Sequence, residues 1–233
     1  MYAVIVCMLM LLICLLQEKV YEKCAIVGHS SSLLFSDGNG KLIDSYPVLL
    51  RMNPWPWDGL EAYLGYEKGI AVIDRDFWVR HSEYLVSTYD AVIVVAGTLQ
   101  SQDVHQNLFA AHPRFLSHIN EDNGRSADGS DILLPALALA LNLCRSITIF
   151  GAYPVLMPAS MPTVYYDVCD GGKIDAKRSN EVASLMHLKD LVTLGLVNLG
   201  EPCILECKGQ GKNVGCLSCR VKNGVQFNVS LNC

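Results

Sequence analysis

The sequence predicts an α/β fold with a mostly parallel sheet and helices on both faces. Short apolar runs, nearly continuous in Val, Ile and Leu, indicate buried strands at residues 24–28, 47–52, 70–73, 91–96 and 147–150. Apolar residues at helical spacing indicate helices at residues 132–143 and 181–194. Because strands and crossovers alternate along the chain, we expect parallel strands that bind ligands at their carboxyl ends.

Composition and charge exclude several classes of protein. The chain has 233 residues, of which 51% are hydrophobic, and a formal net charge of −5. These values exclude a disordered chain, a collagen-like chain and a basic nucleic-acid binder. We therefore expect no nucleic-acid partner. A small anionic ligand is compatible with this charge, since backbone amides can bind phosphate.

The chain begins with a hydrophobic segment, residues 1–16, in which every residue is apolar. As a helix it would span about 24 Å at about 1.5 Å per residue, which is at the short end for a membrane span. It lacks the basic start and the small-residue cleavage site that are typical of a signal peptide. We predict a membrane anchor at residues 1–16, with a cleaved signal peptide as the alternative.

The ten cysteines favour disulfides. Two of the ten lie within residues 1–16, which leaves eight, an even number, for the remainder of a chain that enters the membrane system. The alternative is a zinc site at Cys203, Cys207, Cys216 and Cys219, whose spacing suits that metal. We interpret residues 17–203 as one domain and residues 204–233 as a Cys-rich basic extension.

A series of short motifs gives the chain a resemblance to a known family. Cys-Ala-Ile-Val-Gly-His-Ser at 24–30 is followed by Gly-Asn-Gly-x-x-Ile-Asp-Ser at 38–45, Leu-Arg-Met-Asn-Pro at 50–54, Gly-x-Glu at 59–61, and Gly65. In order and spacing these elements resemble the large sialyl motif of eukaryotic-type sialyltransferases. Residues 134–153 resemble the small sialyl motif, and residues 164–167 and 181–203 resemble the third and the carboxyl-terminal motifs of the family.

The resemblance implies a fold, an activity and a location. The fold would be a Rossmann-like α/β catalytic domain, the sialyltransferase variant of the GT-A-like fold. The activity would be the transfer of sialic acid from CMP-sialic acid to a glycan on a glycoprotein or glycolipid, with inversion and without a metal or other cofactor. The enzyme would be a single-pass type II protein of the Golgi membrane with a lumenal domain, or a secreted one. The family's disulfide between the two sialyl motifs would join Cys24 to Cys144.

The same resemblance, together with turn chemistry, selects the candidate site residues. His29 and Asn53 stand where the family has two asparagines that contact the nucleotide. Gly129 and Ser130 lie about one helical turn before the family's Ser-Thr-Gly position and could supply amides to the nucleotide. The expected nucleotide-binding residues are Gly28, His29, Ser30, Asn53, Gly129, Ser130, Gly151 and Tyr165.

The catalytic base departs from the family pattern. Val164 and Ala176 stand where the family has its two histidines, and neither side chain can accept a proton. His187 lies in the same neighbourhood and is the candidate catalytic residue, with Asp167 and Asp175 as possible carboxylate substitutes. The missing histidines leave open a non-catalytic protein that binds a nucleotide or a glycan.

Three other patterns have competing interpretations. Gly-His-Ser-Ser-Ser at 28–32 approaches the nucleophile elbow of hydrolases, but its last serine replaces a required glycine. Asp74 and Asp76 match a metal-binding Asp-x-Asp pattern, which we interpret as a polar strand end because CMP donors carry one phosphate. Trp55 and Trp57 could form an aromatic wall for a sugar or a cytosine, or could pack in the core.

Overall fold

The computed structural model describes residues 20–35, 38–95, 108–110, 132–151, 188 and 190–200. Within these ranges seven strands form one sheet in the order β5-β4-β3-β2-β1-β6-β7, and every neighbouring pair is parallel. The strands are β1 (Tyr21–Val27), β2 (Val48–Met52), β3 (Ile70–Ile73), β4 (Ala91–Val94), β5 (Leu108–Ala110), β6 (Cys144–Phe150) and β7 (Val197–Leu199). The expected mostly parallel α/β sheet is confirmed.

Helices cover both faces of this sheet. They are a 3₁₀ helix (Ser31–Phe35), α1 (Asn39–Asp44), α2 (Glu61–Leu64), α3 (Arg75–Thr88) and α4 (Leu133–Leu143). Alternate residues of β1 point to opposite faces, so that Cys24 and Ile26 pack with α4 while Ala25 and Val27 pack with the other helices. Because both faces are buried, the strands can be almost continuously apolar.

The predicted strands agree with β1 to β4 and β6 to within a few residues, whereas β5 and β7 were not predicted. Each of these two strands has three residues and is partly exposed, so neither has a buried apolar run. The helix predicted at 132–143 is α4. Of the helix predicted at 181–194, residues 190–193 are helical, and residues 181–187 lie outside the described ranges.

Strand β1 lies at the topological switch point of the sheet. From β1 the chain adds β2, β3, β4 and β5 on one side, and β6 and β7 then lie on the other side of β1. Connections on the two sides of such a point diverge, which leaves a crevice beyond the carboxyl ends of the two central strands. Here the residues that follow β1 and β6 border that crevice.

Two residues of the large motif hold α1 against α2. A side chain at Gly40 would collide with the backbone carbonyls of Glu61 and Ala62, so glycine permits the close approach of the two helices. The carboxylate of Asp44 accepts hydrogen bonds from the backbone N–H groups of the two residues after Gly65, at 2.9 and 3.1 Å. This part of the motif therefore stabilises the layer beneath the crevice.

A disulfide joins the central strands, as the resemblance implied. Cys24 of β1 is bonded to Cys144 at the start of β6, with their Cα atoms 5.9 Å apart and a sequence separation of 120 residues. Both residues are buried on the α4 face. The bond fixes the two strands that border the crevice to each other.

Several sequence predictions lie outside the described residues. They include the hydrophobic segment 1–16, the extension 204–233 and the alternative zinc ligands Cys203, Cys207, Cys216 and Cys219. Among the residues that are described, no helix is both long and apolar enough to cross a membrane.

Candidate functional site

The residues after β1 continue its pairing with β6 past the ends of both strands. The backbone N–H of Gly28 donates to the Phe150 carbonyl at 2.7 Å, and that of Ser30 donates to the Gly151 carbonyl at 2.8 Å. Both amides are therefore used within the sheet. Neither of these two amides therefore remains for a phosphate.

Ser30 lies directly before the 3₁₀ helix and is completely buried. Its hydroxyl oxygen accepts a hydrogen bond from the backbone N–H of Ser32 at 3.2 Å, and its carbonyl accepts one from Leu33 at 3.2 Å. In the described part of the chain the Ser30 hydroxyl makes no hydrogen bond to a histidine. The geometry therefore supports a role in shaping the turn and gives no support to a hydrolase nucleophile.

Gly151 closes the other side of the crevice directly after β6. Its φ of +59° lies in the left-handed region, which favours glycine. A Cβ built on Gly151 would lie 2.5 Å from two side-chain carbons of Leu33. The absence of a side chain thus allows the 3₁₀ helix to pack against the end of β6.

His29 lies between Gly28 and Ser30 and is partly exposed as a residue, although its ring atom Nδ1 is buried. Burial lowers the pKa of His29 from its ordinary value of 6.5, and this effect outweighs the raising effects of the Asp74 carboxylate and of a hydrogen bond to the Met52 backbone. The imidazole is therefore neutral near pH 7. Nδ1 has no hydrogen-bond partner among the described residues.

Asn53 follows β2 and is tied to the end of β3. Its φ of +41° is a left-handed conformation that asparagine tolerates better than most residues. Its side-chain Nδ2 donates to Asp74 Oδ2 at 2.8 Å, and its Oδ1 accepts the Asp74 backbone N–H at 3.1 Å. Since an amide nitrogen carries two hydrogens, one N–H of Asn53 remains beyond this pairing.

Asp74 is the site residue whose role the sequence did not reveal. Its second carboxylate oxygen accepts the Phe77 backbone N–H at 2.7 Å, which makes Asp74 the N-cap of α3. One carboxylate thus joins β2, β3 and α3, and its charge acts on His29. The Asp-x-Asp pattern marks a strand end and helix cap, and no metal-binding cluster of three acidic, His or Cys side chains occurs within the described ranges.

The two tryptophans that could have formed an aromatic wall have different environments. Trp57 is 3% exposed, donates from its ring nitrogen to the Gly65 carbonyl at 2.8 Å, and stacks on the buried guanidinium of Arg51. It belongs to the core. Trp55 is 36% exposed and packs edge-on against His81 at a centroid distance of 4.4 Å, on the kinked helix α3. Of the two tryptophans, Trp55 is the one whose side chain is partly exposed.

The structure brings five of the expected nucleotide-binding residues to the carboxyl edge of neighbouring strands. They are Gly28, His29, Ser30, Asn53 and Gly151. The other candidates lie outside the described residues: Gly129, Ser130, Tyr165 and the candidate base His187. Their assignments stay predictions.

Comparisons with known proteins identify the fold. No protein-family model matches the chain, and a search of curated proteins found no match either. Among solved structures, a mammalian sialyltransferase matches with a TM-score of 0.51 and 17% identity, over 77% of this chain and 68% of that chain. A structure of a mammalian sialyltransferase in complex with Gal-β-1-3GalNAc-ortho-nitrophenol matches with a TM-score of 0.50 and 17% identity, over 77% of this chain and 69% of that one. The chain therefore has the α/β fold of the mammalian sialyltransferases.

Proposed function

We propose that this chain is a sialyltransferase that binds CMP-sialic acid in the crevice between β1 and β6. The observation that carries the proposal is the position of Gly28, His29 and Gly151 at the switch point of a sheet with this fold, with Asn53 at the end of the neighbouring strand β2. Switch points are where doubly wound sheets bind nucleotides. In this proposal the sialic acid passes to a glycan of a glycoprotein or glycolipid, and Gal-β-1-3GalNAc is the first acceptor to test.

The proposed reaction is a single displacement with inversion. The acceptor hydroxyl oxygen forms a bond to the anomeric carbon, the bond from that carbon to the phosphate oxygen breaks, and CMP leaves with the electron pair. A base takes the hydroxyl proton, and hydrogen-bond donors stabilise the phosphate. The N–H of Asn53 that is not bonded to Asp74 is a suitable donor to the phosphate. His187 is the candidate base, with Asp167 and Asp175 as alternatives, and no metal or cofactor takes part.

A second function is favoured by the residues at the family's histidine positions, which are Val164 and Ala176. A chain without a base at either position could bind CMP-sialic acid or a glycan without transferring the sugar. This non-catalytic protein is the runner-up, and it shares the nucleotide site with the first proposal.

The two functions separate in one experiment. Purified protein is incubated with CMP-sialic acid, with and without Gal-β-1-3GalNAc and with EDTA throughout, while CMP binding is measured by calorimetry. Release of CMP that depends on the acceptor supports the transferase, and its persistence in EDTA supports a metal-independent reaction. Binding without release supports the non-catalytic protein, and absence of both contradicts each proposal.

Variants of the candidate base sharpen the assay. We expect His187→Ala to lower the transfer rate by about 100-fold or more, the usual contribution of a general base, with CMP affinity unchanged. Asp167→Asn and Asp175→Asn serve as matched comparisons. If only one of these carboxylate variants loses the rate, that carboxylate replaces His187 as the base.

The location follows from the same proposal. We infer a type II protein whose residues 1–16 anchor it in the Golgi membrane with the domain in the lumen, or a secreted protein if that segment is cleaved. Protease protection of the domain in sealed membranes, together with the amino-terminal sequence of the purified protein, distinguishes the two forms.

A further inference from the structure

His29 has one unused hydrogen-bonding position. A hydrogen bond to the Met52 backbone raises its pKa, so the ring must be the donor and the Met52 carbonyl the acceptor. Because Nδ1 has no partner among the described residues, we assign this donor to Nε2. The neutral ring then carries its hydrogen on Nε2 and presents a lone pair at Nδ1.

The surroundings keep Nδ1 an acceptor. The ring is buried enough to remain neutral near pH 7, although the Asp74 carboxylate favours the charged form. A neutral Nδ1 repels a phosphate oxygen, since both atoms present lone pairs. A buried acceptor without a partner lowers the stability of the free protein, and a ligand that supplies a hydrogen-bond donor offsets this loss.

We propose that Nδ1 of His29 accepts a hydrogen bond from a hydroxyl group of the bound nucleotide sugar. His29 stands directly after β1 at the switch point, between two residues whose amides are fixed to β6. This inference rests on the proposed nucleotide site and adds to it the group that His29 recognises: a sugar hydroxyl, of the ribose or of the sialic acid, and not the phosphate. Asn53, with its remaining N–H, stays the donor to the phosphate.

Ligand analogues identify the hydroxyl. Affinities are measured by calorimetry for CMP, for its 2′-deoxy and 3′-deoxy analogues, and for CMP-sialic acid. If a ribose hydroxyl is the partner, one deoxy analogue binds about tenfold more weakly than CMP, as expected for one lost hydrogen bond to a buried acceptor. If the hydroxyl belongs to the sialic acid, both deoxy analogues bind like CMP, and CMP-sialic acid binds more tightly.

Variants then assign that hydroxyl to His29. His29→Leu removes the acceptor and should abolish the difference in affinity between the paired ligands, while His81→Leu, at a histidine within α3, should leave that difference intact. Because His29→Leu could affect folding, ¹⁵N NMR of the wild-type imidazole provides a second measurement. We expect a hydrogen on Nε2 in the free protein and a shift of the Nδ1 resonance when the hydroxyl-bearing ligand binds.

The outcomes separate this inference from the proposed function. If CMP and CMP-sialic acid both fail to bind the wild-type protein, the nucleotide site is wrong and the role of His29 falls with it. If they bind but the Nδ1 resonance does not move, or the ligand difference survives in His29→Leu, the nucleotide site stands and the hydroxyl contact is wrong.

Discussion

Replacing Asn53 with aspartate tests the link between the ends of β2 and β3. Asn53 Nδ2 lies 2.8 Å from Asp74 Oδ2, and Asn53 Oδ1 accepts the Asp74 backbone N–H. Aspartate has nearly the same shape as asparagine. Asn53→Asp therefore keeps the bond to the backbone and places a carboxylate oxygen where the amide nitrogen lay, against the carboxylate of Asp74.

The magnitude follows from that distance. Two unit charges 2.8 Å apart repel by about 6 kcal/mol at an effective dielectric constant of about 20. Binding one shared proton at pH 7 costs about 4 kcal/mol, since an isolated aspartate has a pKa of about 3.9 and each pH unit is worth about 1.4 kcal/mol. Because the folded variant can bind a proton instead of holding two charges together, the smaller cost of proton binding sets the upper limit of the destabilisation. With solvent screening at this partly exposed pair, we expect a loss of about 2–4 kcal/mol in the free energy of unfolding.

The sign of the pH dependence distinguishes repulsion from a simple loss of contacts. The folded variant binds the shared proton more tightly than the unfolded chain, so its stability relative to wild type rises as the pH falls from 7 to 5. Urea unfolding of both proteins at each pH measures this difference in stability. Because the other titrating groups are the same in both proteins, their contributions cancel. The control is Asn53→Gly, which accommodates the positive φ and should lose stability equally at both pH values. A variant as stable as wild type at pH 7, or with the same deficit at pH 5, would refute the reasoning.

Three further predictions concern the crevice and its supports. Gly151→Ala should lower the free energy of unfolding by about 2–4 kcal/mol, because the new Cβ would clash with Leu33 and the backbone has a positive φ. The control is Gly195→Ala, which has a φ of +72° but open space around it and should cost only about 1–2 kcal/mol. The double variant Cys24→Ser with Cys144→Ser should lose about 2–5 kcal/mol, because the disulfide closes a long loop in the unfolded chain. Between pH 6.5 and the lowered pKa of His29, only the unfolded chain binds a proton at this residue. The free energy of unfolding of the wild type should therefore fall by about 1.4 kcal/mol for each pH unit in this range. His29→Gln should remove this loss.

Each of these measurements has an outcome that contradicts it. Equal losses for the two glycine variants would mean that Leu33 moves aside without cost. If a reducing agent destabilises the double cysteine variant as much as wild type, the stabilisation does not come from the Cys24–Cys144 bond. His81 also has a pKa lowered by burial, and its ring packs against Trp55 and Phe77. If the loss of stability at low pH disappears in His81→Gln and persists in His29→Gln, the titrating group is His81 and the prediction for His29 is wrong.

The strands of the sheet could be predicted because their burial on both faces leaves a direct trace in the sequence. β1, β2, β3, β4 and β6 are runs of apolar residues with few interruptions. Helix α3 leaves no such trace, since three residues of its 14 are buried and it is kinked at His81. Its start was visible only as Asp74, which the sequence indicated as a polar strand end and not as a helix cap.

The sequence by itself determined the fold class, the order of the motifs, and the residue types at the ends of β1, β2 and β6. The tertiary structure decided which of their hydrogen-bonding groups remain for a ligand. The backbone amides of Gly28 and Ser30 donate to residues at the end of β6, one N–H of the Asn53 side chain donates to Asp74, and one His29 nitrogen is bonded to Met52. The physical reason is that each N–H hydrogen donates to one acceptor, and the acceptors here come from strands that meet only when the sheet forms.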